Sequence, residues 1–303
     1  MVYEHVIKKC EKDILKKKNV VGIAEGEKWV DGKCTSIPAI LVLVTCKKEE
    51  KKLRKKDRVD KQIDGVATDV VNIGEIEVQG IFTSRMRPVQ PGYSCSHPKV
   101  TAGTLGGIFL DKNDKVVGLS NNHVLANTAI MPIRGGYRST LGVPICQPGT
   151  LDRGSRCDTI GKLYKYRPLK RRYHQDSALC TFDDNRDLIL ELPEIGKIVG
   201  FNDDVKVGDR IRKSGRTTGY TEAKVVAVGA TIKVNFGTRN RRRILTFTNQ
   251  IVTGYMSEGG DSGSVGVDDE NNAIGLLFAG SNRSTIFNPI RYPRRSYGLK
   301  IIK

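Results

Sequence analysis

No two of the seven cysteines, at positions 10, 34, 46, 95, 146, 157 and 180, stand in a C-x-x-C spacing. An odd, scattered set excludes a disulfide framework and a zinc site, so reduced thiols and no metal or cofactor are expected. No apolar run approaches the roughly 20 residues that cross a bilayer. The first ten residues lack the continuous apolar core of a signal peptide, and together these absences predict a cytoplasmic protein without membrane contact. No dinucleotide fingerprint is present. The stretch Gly215-Arg216-Thr217-Thr218-Gly219 lacks the lysine of a phosphate loop and precedes a strand-like run, so it reads as a β-turn. Aromatics make up only 6% of the chain, and there are only four histidines, His5, His97, His123 and His174. Few residues are therefore available for imidazole chemistry.

Base and glycine are abundant. Lys and Arg total 51 against 33 Asp and Glu, a formal charge of +18. The clusters fall at residues 8–18, 47–61, 164–173, 239–243 and 291–303. A solvated lysine-rich surface accounts for them, with contact to an acidic protein or nucleic acid as a secondary expectation, since such a surface attracts polyanions. Aromatics interleave with base only in Tyr164-Lys165-Tyr166-Arg167, without a surrounding nucleic-acid-binding motif. The 32 glycines break many short apolar runs, which predicts a β-rich fold.

Organisation follows from periodicity. Residues 2–18 carry apolar positions at helical spacing with lysines opposite. Residues 20–24 and 37–45 read as strands, 47–58 as a charged helix, and 63–78 as strand again, so 1–85 forms a small α+β module. Residues 86–100, containing Pro88 and Pro91, have the composition of a linker or clasp and are assigned as a linker. From 101 to 303 the pattern is successive hairpins, such as 107–110 with 115–119 around a turn. Residues 127–158 are rich in Gly and Pro and read as a surface excursion, and a second barrel is expected from about 193 to 277. Arg239 to Arg243 would cap a hairpin joining 231–234 to 244–247.

Three segments carry chemistry. Gly259-Gly260-Asp261-Ser262-Gly263-Ser264 places a hydroxyl among glycines, ahead of an apolar run. A serine is a weak nucleophile until a base takes its proton and fixed dipoles receive the developing charge. His123 follows the strand-like run 115–119, at the mouth of an element, where an imidazole is placed to act as general base. Asp176 enters the short apolar run Ser177-Ala178-Leu179-Cys180. A carboxylate there is partly buried and needs a partner, which an imidazole N–H supplies. Asp158, Asp183 and Asp184 are the alternative acids, without the same context; His174 sits in a basic loop and is expected to face solvent.

The order His123, Asp176, Ser262, with a polar residue before His-Val, Asp-x-Ala-Leu and Gly-Asp-Ser-Gly, resembles the chymotrypsin/trypsin-like serine peptidases of the peptidase S1 family. Residues 101–106, 119–126, 213–219 and 279–281 are similar to the bacterial branch that looks like the plant narrow-leaf proteins. The resemblance covers roughly the last two-thirds of the chain and implies a mainly β, chymotrypsin-like double antiparallel β-barrel behind the N-terminal module. It further implies a serine endopeptidase acting on protein or peptide substrates, with His123 as base, Asp176 as orienting acid and Ser262 as nucleophile. By the same resemblance, the backbone N–H groups of Gly260 and Ser262 form the oxyanion hole, and Met256, Ala279, Gly280 and Ser281 contact substrate. Met256 stands where trypsin-type enzymes carry an aspartate, which argues against Lys or Arg selection. Ser264 replaces the family's commoner second glycine. Zymogen-type relatives pair the aspartate before the serine with a newly cut N-terminus; with a module upstream here, either Asp261 has another partner or the oxyanion hole forms only on stimulation. The rival reading is a latent peptidase-fold binding protein with a basic surface.

Overall fold

The computed structural model describes residues 3–30, 33–74, 81–127, 141–169, 172–184, 188–237 and 242–303. The chain divides into two units, Met1–Val78 and Gln79–Lys303. The division precedes the expected one at 85, and residues 86–100 are no linker. Gly92 N–H donates to Leu105 O at 2.6 Å, Ser94–Cys95 pairs with Gly103–Thr104, and Arg87 donates to Gln147 Oε1. The prolines of this stretch shape turns within the second unit.

In the first unit, helix Glu4–Leu15 buries Val6 and Ile14 on one face. Its sheet runs in the order Val20–Val30, Lys33–Val44, Val66–Asn72, Gln62–Ile63, with the two middle strands parallel. The apolar run in Lys33–Val44 is central, and Ala39, Ile40 and Val42 are wholly buried. The charged segment 47–58, expected to be helical, holds only the single turns Glu50–Lys52 and Lys55–Asp57. It has no apolar stripe to pack, and short helices owe most of their stability to packing. Residues 75–78 of the expected last strand lie outside the described residues.

In the second unit, two rings of antiparallel strands close on themselves. The first uses Gly107–Leu110, Val116–Ser120, Ala178–Cys180, Thr159–Tyr166 and Pro144–Cys146 in that order. Ser96 then bridges Cys146, and Ser94–Cys95 pairs back to Gly103–Thr104, which leads into Gly107–Leu110. Residues 141–158 are thus not simply a surface excursion: Pro144–Cys146 is a barrel strand, with Ile145 and Cys146 buried. Residues 128–140 of the expected excursion lie outside the described residues.

The second ring joins Arg210–Gly215, Gly219–Asn235, Ile244–Gly254, Ser284–Pro289, Asn272–Gly280 and Val265–Val267, which returns to Arg210–Gly215. Closure needs Ser284–Pro289, beyond the expected end at 277. The hairpin expected around 239–243 is present, with Val234 opposite Leu245, although residues 238–241 are outside the described set. Between the rings, Phe109, Leu119 and Leu179 from one pack with Val265, Leu276 and Ile290 from the other. Each fully buried Leu contributes roughly 2 kcal/mol, so this shared apolar layer holds the rings together.

Candidate active site

The register of the first ring brings its two candidate residues together. Ala178 lies opposite Ser120 on antiparallel strands, so the residues just before 178 meet those just after 120. The short helix Asn122–Leu125 carries His123 out of strand Val116–Ser120. His123 N–H donates to Asp176 Oδ1 at 3.1 Å, and His123 Nδ1 meets Asp176 Oδ2 at 2.5 Å. Asp176 is fully buried while the imidazole keeps 23% of its side-chain surface exposed. That arrangement orients the ring with Nδ1 inward and leaves Nε2 for chemistry.

Asp176 is itself held from the second ring. Its N–H donates to Asn288 Oδ1 at 2.8 Å, and Asn288 Nδ2 donates to Gln250 Oε1 at 2.6 Å. Asn121 Nδ2 donates to Asp176 O at 2.8 Å. Asn121, Asn288 and Gln250 are all fully buried. Of the alternative acids, Asp158 pairs with Arg85 at 3.2 Å and serves its own turn. His174 is exposed as expected, but its ring stacks on Tyr292 with centroids 5.0 Å apart and its Nδ1 pairs with Thr248 Oγ1. Phe236, on the hairpin of the second ring, meets the His123 ring edge-on at 5.8 Å.

Ser262 is placed beside this pair by glycine packing. A Cβ built on Gly263 would lie 2.2 Å from Ser120 Oγ and 2.3 Å from Thr104 O. A Cβ on Gly103 would strike Val124 and come within 3.0 Å of Ser262 O. Thr104 N–H donates to Ser262 O at 2.8 Å. The serine segment therefore lies against the end of the strand that leads to His123. The Ser262 hydroxyl makes no hydrogen bond among the described residues, so the His123–Ser262 arm is open while the His123–Asp176 arm is closed. Catalytic hydrogen bonds often tighten only when substrate is bound.

The turn before the serine is set by its carbonyls. Asp261 N–H donates to Glu258 O at 3.1 Å, closing a turn in which Gly260 has φ +103°, a conformation that strains any residue with a side chain. Gly259 O accepts from Thr217 Oγ1 at 2.7 Å, and Asp261 O accepts from Ser264 N–H and Ser264 Oγ at 3.0 and 2.7 Å. In a trans peptide the N–H points opposite its carbonyl. The N–H groups of Gly260 and Ser262 are thus turned away from these anchors, and neither has a partner among the described residues.

Asp261, fully buried, finds its partners inside the chain. Oδ1 accepts from the N–H groups of Thr217 and Thr218 at 2.8 and 3.1 Å, and Oδ2 from Thr218 Oγ1 and Glu258 N–H at 2.7 and 2.9 Å. The fully buried Lys213 ammonium stands 3.6 Å from Oδ2 and donates to Gly219 O at 2.9 Å. Burial lowers the Lys213 pKa, and Asp261 opposes that shift. The stretch 215–219 is indeed a β-turn, with Gly215 opposite Gly219. Its use as a cage for Asp261 was not read from the sequence. The available signal was a lysine two residues after Ile211, in register with the inward face of its strand, and an aspartate that needed a partner.

A cavity of about 430 Å³ opens beside Ser262, lined in part by Ser257, Glu258, Ala279, Gly280 and Ser281. Met256, expected to contact substrate, is only 2% exposed and packs with Ile211, Val225 and Ile251 in the core of the second ring. Strand Ile244–Gly254 ends just before it, and its N–H is tied to Thr285 Oγ1 at 3.2 Å, so its side chain fills the barrel instead of the cavity. Tyr255 and Glu258 take the wall, with Tyr255 OH donating to Glu258 Oε1 at 2.9 Å.

No family model and no curated protein matches the chain. Among solved structures it is similar to the Nocardiopsis protease NAPase, at 14% identity and TM-score 0.50, over 71% of this chain and 100% of that one. It is also similar to a glutamic-acid-specific serine protease described as using a histidine triad in substrate binding, at 19% identity and TM-score 0.51, again over 71% and 100%. These likenesses show the fold, the double β-barrel of the chymotrypsin/trypsin-like serine proteases.

Proposed function

We propose that this chain is a serine endopeptidase working through an acyl-enzyme. The observation that carries the reading is the His123–Asp176 contact of 2.5 Å beside a serine turn whose Gly260 and Ser262 N–H groups have no partner among the described residues. Ser262 Oγ attacks the scissile carbonyl as His123 Nε2 takes its proton. Asp176 holds the ring and stabilises the imidazolium that forms. The oxyanion is received by the N–H groups of Gly260 and Ser262, each such donor contributing on the order of 3 kcal/mol in the transition state. His123 returns the proton to the leaving amine, and water then releases the acyl group. The substrate side chain before the scissile bond enters the cavity along Ala279, Gly280 and Ser281, with Ser257, Glu258 and Tyr255 in place of Met256 as its wall.

Compartment is part of the same proposal. Burial pushes the Cys95 thiol up and Cys180 to about 12. These thiols are inert packing groups, in keeping with a reducing cytoplasm.

A fluorophosphonate probe tests the chemistry. The folded wild type should be labelled and Ser262→Ala should not; an unreactive wild type overturns the reading. The open Ser262 hydroxyl favours one alternative, a latent peptidase-fold protein that binds an acidic protein or nucleic acid. That reading predicts no adduct, together with salt-sensitive binding to a polyanion.

A further inference from the structure

Resting on the peptidase reading, we propose that Arg216 is a positioning residue that locks the oxyanion turn, anchored from the first ring by Asp152. Arg216 grips Asp152 in a two-pronged ion pair, Nη2 to Oδ1 at 2.5 Å and Nε to Oδ2 at 2.8 Å. The two side chains are 6% and 8% exposed. Ser94 Oγ donates to Asp152 Oδ2 at 2.5 Å and accepts from Gly149 N–H at 2.9 Å, so the carboxylate is fixed from a second direction. A buried pair with this planar geometry holds a guanidinium in one orientation.

From that orientation Arg216 reaches both carbonyls of the glycine pair through hydroxyls. Its Nη1 donates to Thr217 Oγ1 at 3.0 Å, and Thr217 Oγ1 donates to Gly259 O at 2.7 Å. Its backbone N–H donates to Thr104 Oγ1 at 3.0 Å, and Thr104 Oγ1 donates to Gly260 O at 2.9 Å. A hydroxyl has a single proton. When an N–H from Arg216 fills a lone pair of each oxygen, each proton is left to point at a glycine carbonyl. The Gly259–Gly260 peptide therefore keeps its carbonyl inward and its N–H outward. If this peptide turned over, a carbonyl would stand where the oxyanion donor belongs, and a like-signed dipole would meet the developing charge. The fit leaves no slack, because a Cβ on Gly260 would lie 2.4 Å from Thr217 Oγ1 and 2.9 Å from Arg216 Nη1.

Thr217→Val removes only the hydroxyl relay, and Arg216→Lys keeps the charge but loses the fork. Loss of one oxyanion donor slows acyl transfer by about 10²–10³. Thr217→Val should lower kcat by about 10² with KM little changed, and Arg216→Lys by about tenfold. Affinity for a peptide boronic acid, which forms a tetrahedral adduct on Ser262, should fall in the same ratio, while a non-covalent product peptide should bind as before. A merely structural role would not separate these two ligands. A crystal structure of Thr217→Val should show the Gly259 carbonyl turned into the site. An unturned peptide with kcat within threefold of wild type overturns the lock. A turned peptide in a protein whose wild type never reacts with fluorophosphonate supports the lock and overturns the peptidase reading alone.

Discussion

Asp176 and Asp261 are both fully withdrawn from solvent, yet they differ in the donors that surround them. Asp261 spends its oxygens on three backbone N–H groups and the Thr218 hydroxyl, with the Lys213 ammonium close by. Every donor around it is fixed, so it works as a peg that pins the turn before Ser262. Asp176 receives one N–H and one imidazole nitrogen, both from His123. In the proposed reaction the ring that meets it takes a proton from Ser262 at Nε2 and returns it to the leaving amine, which would make the same buried charge part of the chemistry. Burial alone does not separate the two carboxylates; the identity of the donor does.

The contrast is sharpest in rate. Asp176→Asn keeps the shape but favours the wrong tautomer of His123, and kcat should fall by about 10⁴, with only a modest change in unfolding free energy. Steady-state hydrolysis beside a denaturant titration checks both halves, and an undiminished kcat would place the orienting acid elsewhere. Around Asp261 the order should reverse, with stability moving first. Lys213→Met leaves a buried carboxylate without its cation, and breaking such a pair costs about 3 kcal/mol. Urea unfolding reads this loss; an unchanged midpoint would mean that the four hydrogen bonds on Asp261 suffice by themselves.

A third buried carboxylate, Asp111, supplies the smallest effect and a control outside the site. Burial would raise its pKa, but the bond from Lys165 and the N–H groups of Asn113 and Lys115 outweigh this and hold it at about 2, below its ordinary 3.8. The folded state then binds its proton less readily than the unfolded chain. Its contribution, about 2 kcal/mol, is present above pH 4 and lost as pH falls toward 2. Asp111→Asn should remove that part of the acid dependence and leave hydrolysis untouched. An acid-unfolding profile that superimposes on wild type would deny Asp111 this role.

Much of the candidate site was legible because its motifs are local. His123 leaves a strand, Asp176 enters one, and Ser262 sits among glycines, and each context spans only a few residues. The hairpin of 107–110 with 115–119 and the long hairpin across 239–243 were readable for the same reason, since alternation and turn residues act at short range. The partners of Asp176 were not. Asn288 and Gln250 are unremarkable polar residues on strands, and only closure of the second ring places them behind the acid. Met256 was misassigned because counting back from the serine gives a position but no side-chain direction. The segment 47–58 holds only single turns for want of an apolar face, since a charge pattern alone does not stabilise a helix.

Sequence alone determined the β-rich composition, the hairpin pattern, and the three residue types with the tight glycine turn that acyl transfer requires. These follow from backbone sterics and from the chemistry of single side chains. The tertiary structure decided which carboxylate faces the imidazole, what replaces a free amine beside Asp261, and which way the Gly259–Gly260 peptide points. Those depend on contacts between residues far apart in the chain, and the burial that joins the two rings is what brings them within hydrogen-bond range.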